Sequence, residues 1–189
     1  FGSGEATREL PGYDLLVQAM SGYMSITGDP DGPARKPGTA LADMLTGLYA
    51  TIGTLAALQA RTATGAGQHV EVSLMDSALA ALLNLGSSYL NTGAVPGRSG
   101  NRHPSIAPYE TFRAADRDLA VAGGNDAIFE RLCGALGRPE LATDARFRAN
   151  ADRVAHREAL TAELESAFAA DTASAWAERL NAAGVPAGP

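Results

Sequence analysis

The sequence is poor in the residues that carry redox, metal and thiol chemistry. It holds one cysteine, three histidines and one tryptophan in 189 residues. A lone cysteine, Cys133, excludes an internal disulfide and makes no metal pattern. His69, His103 and His156 lack metal-ligand spacing. There is no Gly-x-Ser-x-Gly elbow, no phosphate loop and no dinucleotide glycine fingerprint. Spacing leaves a Ser-His-Asp triad open, but nothing points to one. Basic residues are outnumbered, 15 against 21 acidic, for a net charge of −6. That balance argues against a general nucleic-acid binder and leaves room for a local basic pocket. No signal peptide is evident. The longest uncharged run, 44–60, is broken by Thr46, Gly47, Thr51, Gly53, Thr54 and Gln59. It is short and polar beside the roughly 20 apolar residues of a lone membrane span. It reads as a buried helix, and the default compartment is cytoplasmic.

What is present is a globular composition, 46% hydrophobic and 19% charged, in a chain long enough for one domain with a sizeable core, or one domain plus a small lobe. Residues 13–25 carry Leu15, Leu16, Ala19, Met20 and Tyr23 near helical period. A turn-rich loop follows at 28–37. Leu41, Leu45, Leu48, Ile52 and Leu55 predict a helix over about 40–62, with Thr39 as its N-cap. Gly47 and Gly53 inside it imply close approach of another element, since each costs roughly 1 kcal/mol against Ala. His69–Leu74 alternates as a short strand, and 75–91 reads as a second helix. Beyond a linker at 93–105, Tyr109–Arg113 and Leu119–Ala122 predict a hairpin. Asn125 or Asp126 caps a helix to about 136, in which Cys133 packs with Ile128, Phe129, Leu132 and Leu136. Further helices are expected over 151–169 and, capped by Thr172, to about 183. Two lobes result, 1–92 and 106–189.

Asp43 stands out, a carboxylate in the first turn of the long apolar helix. Unpaired N–H groups at a helix start favour its ionised form, and an ionised Asp there can accept an acyl group. The plain alternative is an acidic residue that complements the helix dipole. Three other segments are candidates to converge on it. Tyr13 and Asp14, with Gln18 one turn on, offer a phenol, a carboxylate and an amide; the plain alternative is an N-cap on an amphipathic helix. Ser99–Pro104 holds Arg102 and His103, or is simply a linker. Gly123, Gly124 and Asn125 form a strand-to-helix turn suited to an anion, or only a tight turn.

The chain resembles the class III CoA-transferases, the family of formyl-CoA transferase and the carnitine and bile-acid enzymes. The match is carried by Pro11–Asp14 with Gln18–Gly22, by Ala42–Gly47, by Thr64–Asp76 and by Gly184–Pro189. Asp144–Phe147 with Asn150 adds a weaker stretch. In order and spacing these cover the whole chain.

The resemblance implies an α/β fold: the helical part of a Rossmann-like large domain carrying the catalytic Asp, an active-site linker, and a small α+β domain that begins the return to the large one. Family members are about twice this length and form interlocked homodimers, so the chain reads as an internal piece. The family's catalytic aspartate falls on Asp43, which attacks an acyl-CoA thioester and passes through anhydride and aspartyl-CoA intermediates. Substrate-side residues fall on Tyr13, Asp14 and Gln18. Coenzyme A is a substrate, and no cofactor or metal is implied; the partners are an acyl-CoA and a carboxylic acid, without nucleic acid or membrane. Where formyl-CoA transferase has a run of glycines, this chain has Ser99–Pro104, which argues against formate and oxalate and makes Arg102 a candidate for a second substrate carboxylate. The racemase branch has a histidine in the position of Tyr13. A phenol, with pKa near 10, is a poor base at neutral pH, which favours transfer over racemisation. A 2-methylacyl-CoA racemase and a catalytically inactive packing module are the alternatives.

Overall fold

The computed structural model describes residues 1–4 and 8–189. The chain divides into two compact units, Phe1–Gly100 and Asn101–Pro189. The division falls inside the segment read as a linker.

The first unit is helical among its described residues. Helix α1 (Asp14–Met20) follows Pro11-Gly12 and ends at Ser21, ahead of Gly22 with φ +88°. A single 3-10 turn covers Met24–Ile26. Helix α2 (Leu41–Thr64) runs 24 residues to Gly65, whose left-handed backbone (φ +72°) returns its N–H to the Arg61 carbonyl. This is the glycine stop expected at a helix C-terminus. Helices α3 (Leu74–Ala80) and α4 (Leu83–Thr92) complete the unit. Its core is small: Val17, Ala42 and Ala78, with Phe1 and Leu74 packed against them.

His69–Leu74 forms no strand; it is extended chain without a sheet partner among the described residues, and α3 begins at Leu74. Alternation marks two faces, but a strand also needs a neighbour to bond. The helix expected over 75–91 breaks at Ala81–Leu82, where Leu83 takes φ +47°. Gly53 does permit close approach, since a Cβ there would lie 2.7 Å from Val70 Cγ1, whereas Gly47 faces nothing within 4 Å. Helix α2 is not buried within this chain. Ile52 and Leu55 are each 61% exposed. The helix is long and apolar enough to cross a membrane by length and composition alone, contrary to the reading of its uncharged run as too short and polar.

The second unit is α+β. Strands β1 (Tyr109–Arg113) and β2 (Asp118–Ala122) pair antiparallel with Tyr109 opposite Ala122 and Arg113 opposite Asp118. The connecting turn closes through Ala114 N–H to the Arg117 carbonyl. Helices follow at α5 (Asp126–Ala135), α6 (Glu140–Thr143), α7 (Asn150–Ala155), α8 (Arg157–Phe168) and α9 (Ala173–Ala182). Strand β3 (Ala187–Gly188), not anticipated, then pairs antiparallel with β2, giving the sheet order β1-β2-β3. The predicted hairpin is thus present, as are the Asn125 and Thr172 caps. The single helix expected over 151–169 is broken at His156, whose φ of −112° leaves the helical range.

Inward residues of β1 and β2 (Phe112, Leu119, Val121) meet Phe129, Leu132, Cys133, Leu160, Leu164, Phe168, Trp176 and Leu180 in one core. Cys133 is completely buried, as its helical spacing implied, and burial pushes its thiol up to about 11. The Trp176 indole N–H donates to the Phe168 carbonyl at 2.9 Å, which satisfies its polar edge inside an apolar setting.

Candidate active site

In the first unit, Tyr13, Asp14, Gln18 and Asp43 sit on α1 and at the head of α2. Asp43 is exposed in the first turn of α2. The expected cap is absent. The N-cap position is Ala40, which has no side chain to offer, and Thr39 contributes its carbonyl, accepting from Leu41 N–H at 3.0 Å. The i→i−4 ladder begins with Met44 N–H to the Ala40 carbonyl.

The cap comes instead from α1. Asp14 Oδ1 accepts from Ala42 N–H at 2.8 Å, and Asp14 Oδ2 accepts from Gln18 Nε2 at 2.7 Å. Asp14 therefore does not cap its own helix; Tyr13 is the N-cap there, without a side-chain bond. Both Asp14 oxygens and the Gln18 amide nitrogen are engaged within the protein. Gln18 is 1% exposed, and its Oε1 finds no partner among the described residues. Tyr13, beside them, is 74% exposed. The Ser73–Asp76 part of the matching stretch is structural: Ser73 caps α3, accepting from Asp76 N–H and donating to Asp76 Oδ2.

In the second unit, Arg102 is not a free cation. Its guanidinium meets Glu110 Oε2 at 2.9 Å and is also paired with Glu158. Glu110 is buried and takes Arg157 on its other oxygen at 3.0 Å. Arg157 also donates to the His103 and Ile106 carbonyls. His103 is held in turn: its Nδ1 accepts from Ser105 N–H, and its ring meets Tyr109 edge-on.

The turn at Gly123–Asn125 is shaped by packing. A Cβ on Gly124 would lie 1.9 Å from Ile106 Cγ2, and one on Gly123 would press Leu132 and Pro108 at 3.2 Å. Gly123 N–H is bonded to the Pro108 carbonyl, and Asn125 Oδ1 caps α5 through Ala127 N–H. These contacts account for both glycines and for the asparagine without an anion.

Sequence reasoning missed Arg153, which is completely buried. It donates to the Ala107, Phe147 and Gly124 carbonyls at 2.7, 2.9 and 2.8 Å, pairs with Asp126 and lies over the Phe129 ring. No signal for it lies in the sequence: its helical neighbours at three and four positions are Ala149, Asn150, His156 and Arg157, the setting of a solvated arginine.

The CoA-transferase family III model matches residues 1–189. The chain belongs to this family. It is 45% identical to an acetyl-CoA:oxalate CoA-transferase of Acetobacter aceti over 190 aligned residues, covering 100% of this chain and 49% of that protein. It is 46% identical to a succinate–glutarate CoA-transferase of Agrobacterium fabrum, covering 83% of this chain and 39% of the relative. The crystal structure of a CAIB/BAIF family protein from Brucella suis superposes with a TM-score of 0.81 at 44% identity, covering all of this chain and 50% of that one. The chain thus spans about half the length of the curated relatives it matches.

Proposed function

We propose that the intact protein is a class III CoA-transferase in which Asp43 is the covalent acceptor. The observation that carries this reading is the exposed Asp43 carboxylate in the first turn of α2, in a chain that aligns with family III from end to end. Asp43 attacks the thioester carbonyl of the donor, and CoA thiolate leaves with the bonding pair. The thiolate then attacks the aspartyl carbonyl of the mixed anhydride and expels the donor carboxylate. The acceptor carboxylate attacks the aspartyl-CoA thioester, releasing thiolate again. Attack of that thiolate on the acceptor's carbonyl forms the new acyl-CoA and regenerates Asp43. One hard exchange is thereby split into easier steps.

The acceptor class we infer is a small dicarboxylate, because the relatives named above are named for oxalate and for succinate with glutarate. The missing glycine run therefore argues against formate only; oxalate stays within the class. The exposed apolar face of α2 fits a subunit whose Rossmann-like large domain and interlocked homodimer cover it with protein, in a cytoplasmic enzyme. For Arg102 to hold a substrate carboxylate its guanidinium would have to give up bonds to Glu158 or Glu110, and Gly123–Asn125 would act through N–H groups outside the bonds described above.

The test is turnover of the intact protein with a panel of acyl-CoAs and dicarboxylates. Wild type exchanges CoA, and Asp43→Ala loses at least about a thousandfold in turnover with its fold retained, as loss of a nucleophile demands. Near-normal turnover in Asp43→Ala refutes the mechanism.

A further inference from the structure

We propose that Asp14 and Gln18 are a positioning pair for Asp43, acting through the first turn of α2 and not on substrate. The proposal rests on Asp43 being the nucleophile. Asp14 lies 28 positions before Ala42, yet its Oδ1 takes the Ala42 N–H, one residue ahead of Asp43. Helix α2 has no side-chain cap of its own. The bond from Asp14 thus fixes the turn from which the Asp43 side chain departs.

Gln18 holds the plane of that carboxylate through Oδ2. Turning its amide over gives no relief, because an oxygen would then face the Asp14 oxygen. Gln18 Oε1 consequently stays buried and unpartnered among the described residues. A buried open acceptor works against stability. An apolar side chain of similar size would remove that open acceptor. A glutamine here costs stability and provides orientation, which is the pattern of a residue kept for function.

The experiment uses the intact protein, and the variants Asp14→Ala, Asp14→Asn and Gln18→Leu. It measures single-turnover acylation of Asp43 by mass spectrometry, steady-state kcat and KM, and Tm. Asp14→Ala should slow acylation about ten- to a hundredfold with little change in KM for acyl-CoA, the scale of losing alignment at a reacting group. Asp14→Asn should recover most of the rate, because its Oδ1 still accepts from Ala42 N–H and the Gln18 amide turns to meet the new NH2. Gln18→Leu should lower kcat about tenfold with little change in Tm, because removal of the open Oε1 acceptor offsets loss of the part-buried bond to Asp14 Oδ2. Should Asp14→Ala fail to fold, the other two variants decide the matter. Equal losses in Asp14→Asn and Asp14→Ala overturn the proposal, because the charge itself would then be needed. So does a raised KM at constant kcat, or a lower Tm in Gln18→Leu with normal kcat. Absence of any Asp43 adduct in wild type overturns the nucleophile assignment as well, and so is distinguishable from failure of the positioning pair alone.

Discussion

Replacing Arg153 by methionine should remove a large part of the second unit's stability while changing little else. The side chain is fully enclosed and donates to three carbonyls, of Ala107, Phe147 and Gly124, within 2.9 Å. Methionine fills the volume and keeps the contact with Phe129 but offers no donor. Each orphaned buried acceptor costs about 1–3 kcal/mol. The pair with Asp126 is half in water and adds little. The sum, taken at the low end because the carbonyls relax, is about 3–5 kcal/mol. A domain of this size has about 5–10 kcal/mol in all, and the loss corresponds to a Tm drop of roughly 15 °C or more. Trp176, the sole tryptophan of the chain, is buried in the same core and reports on it directly. Urea titration followed by its fluorescence measures the change. A shift in stability below about 1 kcal/mol would refute the reasoning, since it would mean that these carbonyls find other donors.

Four further outcomes follow from the same contacts. Arg102→Ala should reduce kcat/KM equally for mono- and dicarboxylates, because its guanidinium is committed to Glu110 and Glu158; selective loss for dicarboxylates, by about 1.5–3 kcal/mol in transition-state binding, would restore it as a substrate ligand. In deuterated water the α-carbon of a 2-methylacyl-CoA should not exchange, and enzyme-dependent deuterium uptake seen by NMR would promote the racemase alternative over transfer. Cys133, raised to about 11 by burial, should react with iodoacetamide at pH 8 at least about a hundredfold more slowly in the native state than in urea. Acid should loosen the second unit: Arg146 holds the Asp144 carboxyl down to about 2, Arg138 lowers Glu140, Arg102 lowers Glu158, and the Ala173 N–H lowers Asp116. Each folded pKa lies below its unfolded value, so the contribution is complete above the ordinary carboxylate range near 4 and is lost as pH falls through the folded value. The Trp176 transition should therefore hold constant from pH 8 to about 5 and shift downward between about 4 and 2.

The elements legible in the sequence were those with local causes. The hairpin, the Asn125 and Thr172 caps and the buried Cys133 follow from alternation, turn chemistry and helical spacing, all within a few residues. The elements missed depend on distant partners. His69–Leu74 alternates like a strand but meets no neighbour among the described residues, whereas Ala187–Gly188, too short to show a pattern, is a strand because β2 lies beside it. Position alone makes Asp14 a substrate or self-capping carboxylate, whereas it caps a helix 28 positions away. Position alone makes Thr39 that cap, but its carbonyl is what bonds. Charged residues were the least legible, since Arg102 and Arg153 look alike in sequence. Their roles are set by which carbonyls and carboxylates the fold brings to them.

The most direct test of the account is trapping the intermediate on Asp43. The intact protein is incubated with an acyl-CoA, quenched with hydroxylamine and digested, and the peptide carrying Asp43 is sequenced by mass spectrometry. The account predicts an acyl-CoA-dependent hydroxamate on Asp43, absent without substrate. Full turnover with Asp43 unmodified, or with the hydroxamate on another carboxylate, would contradict it.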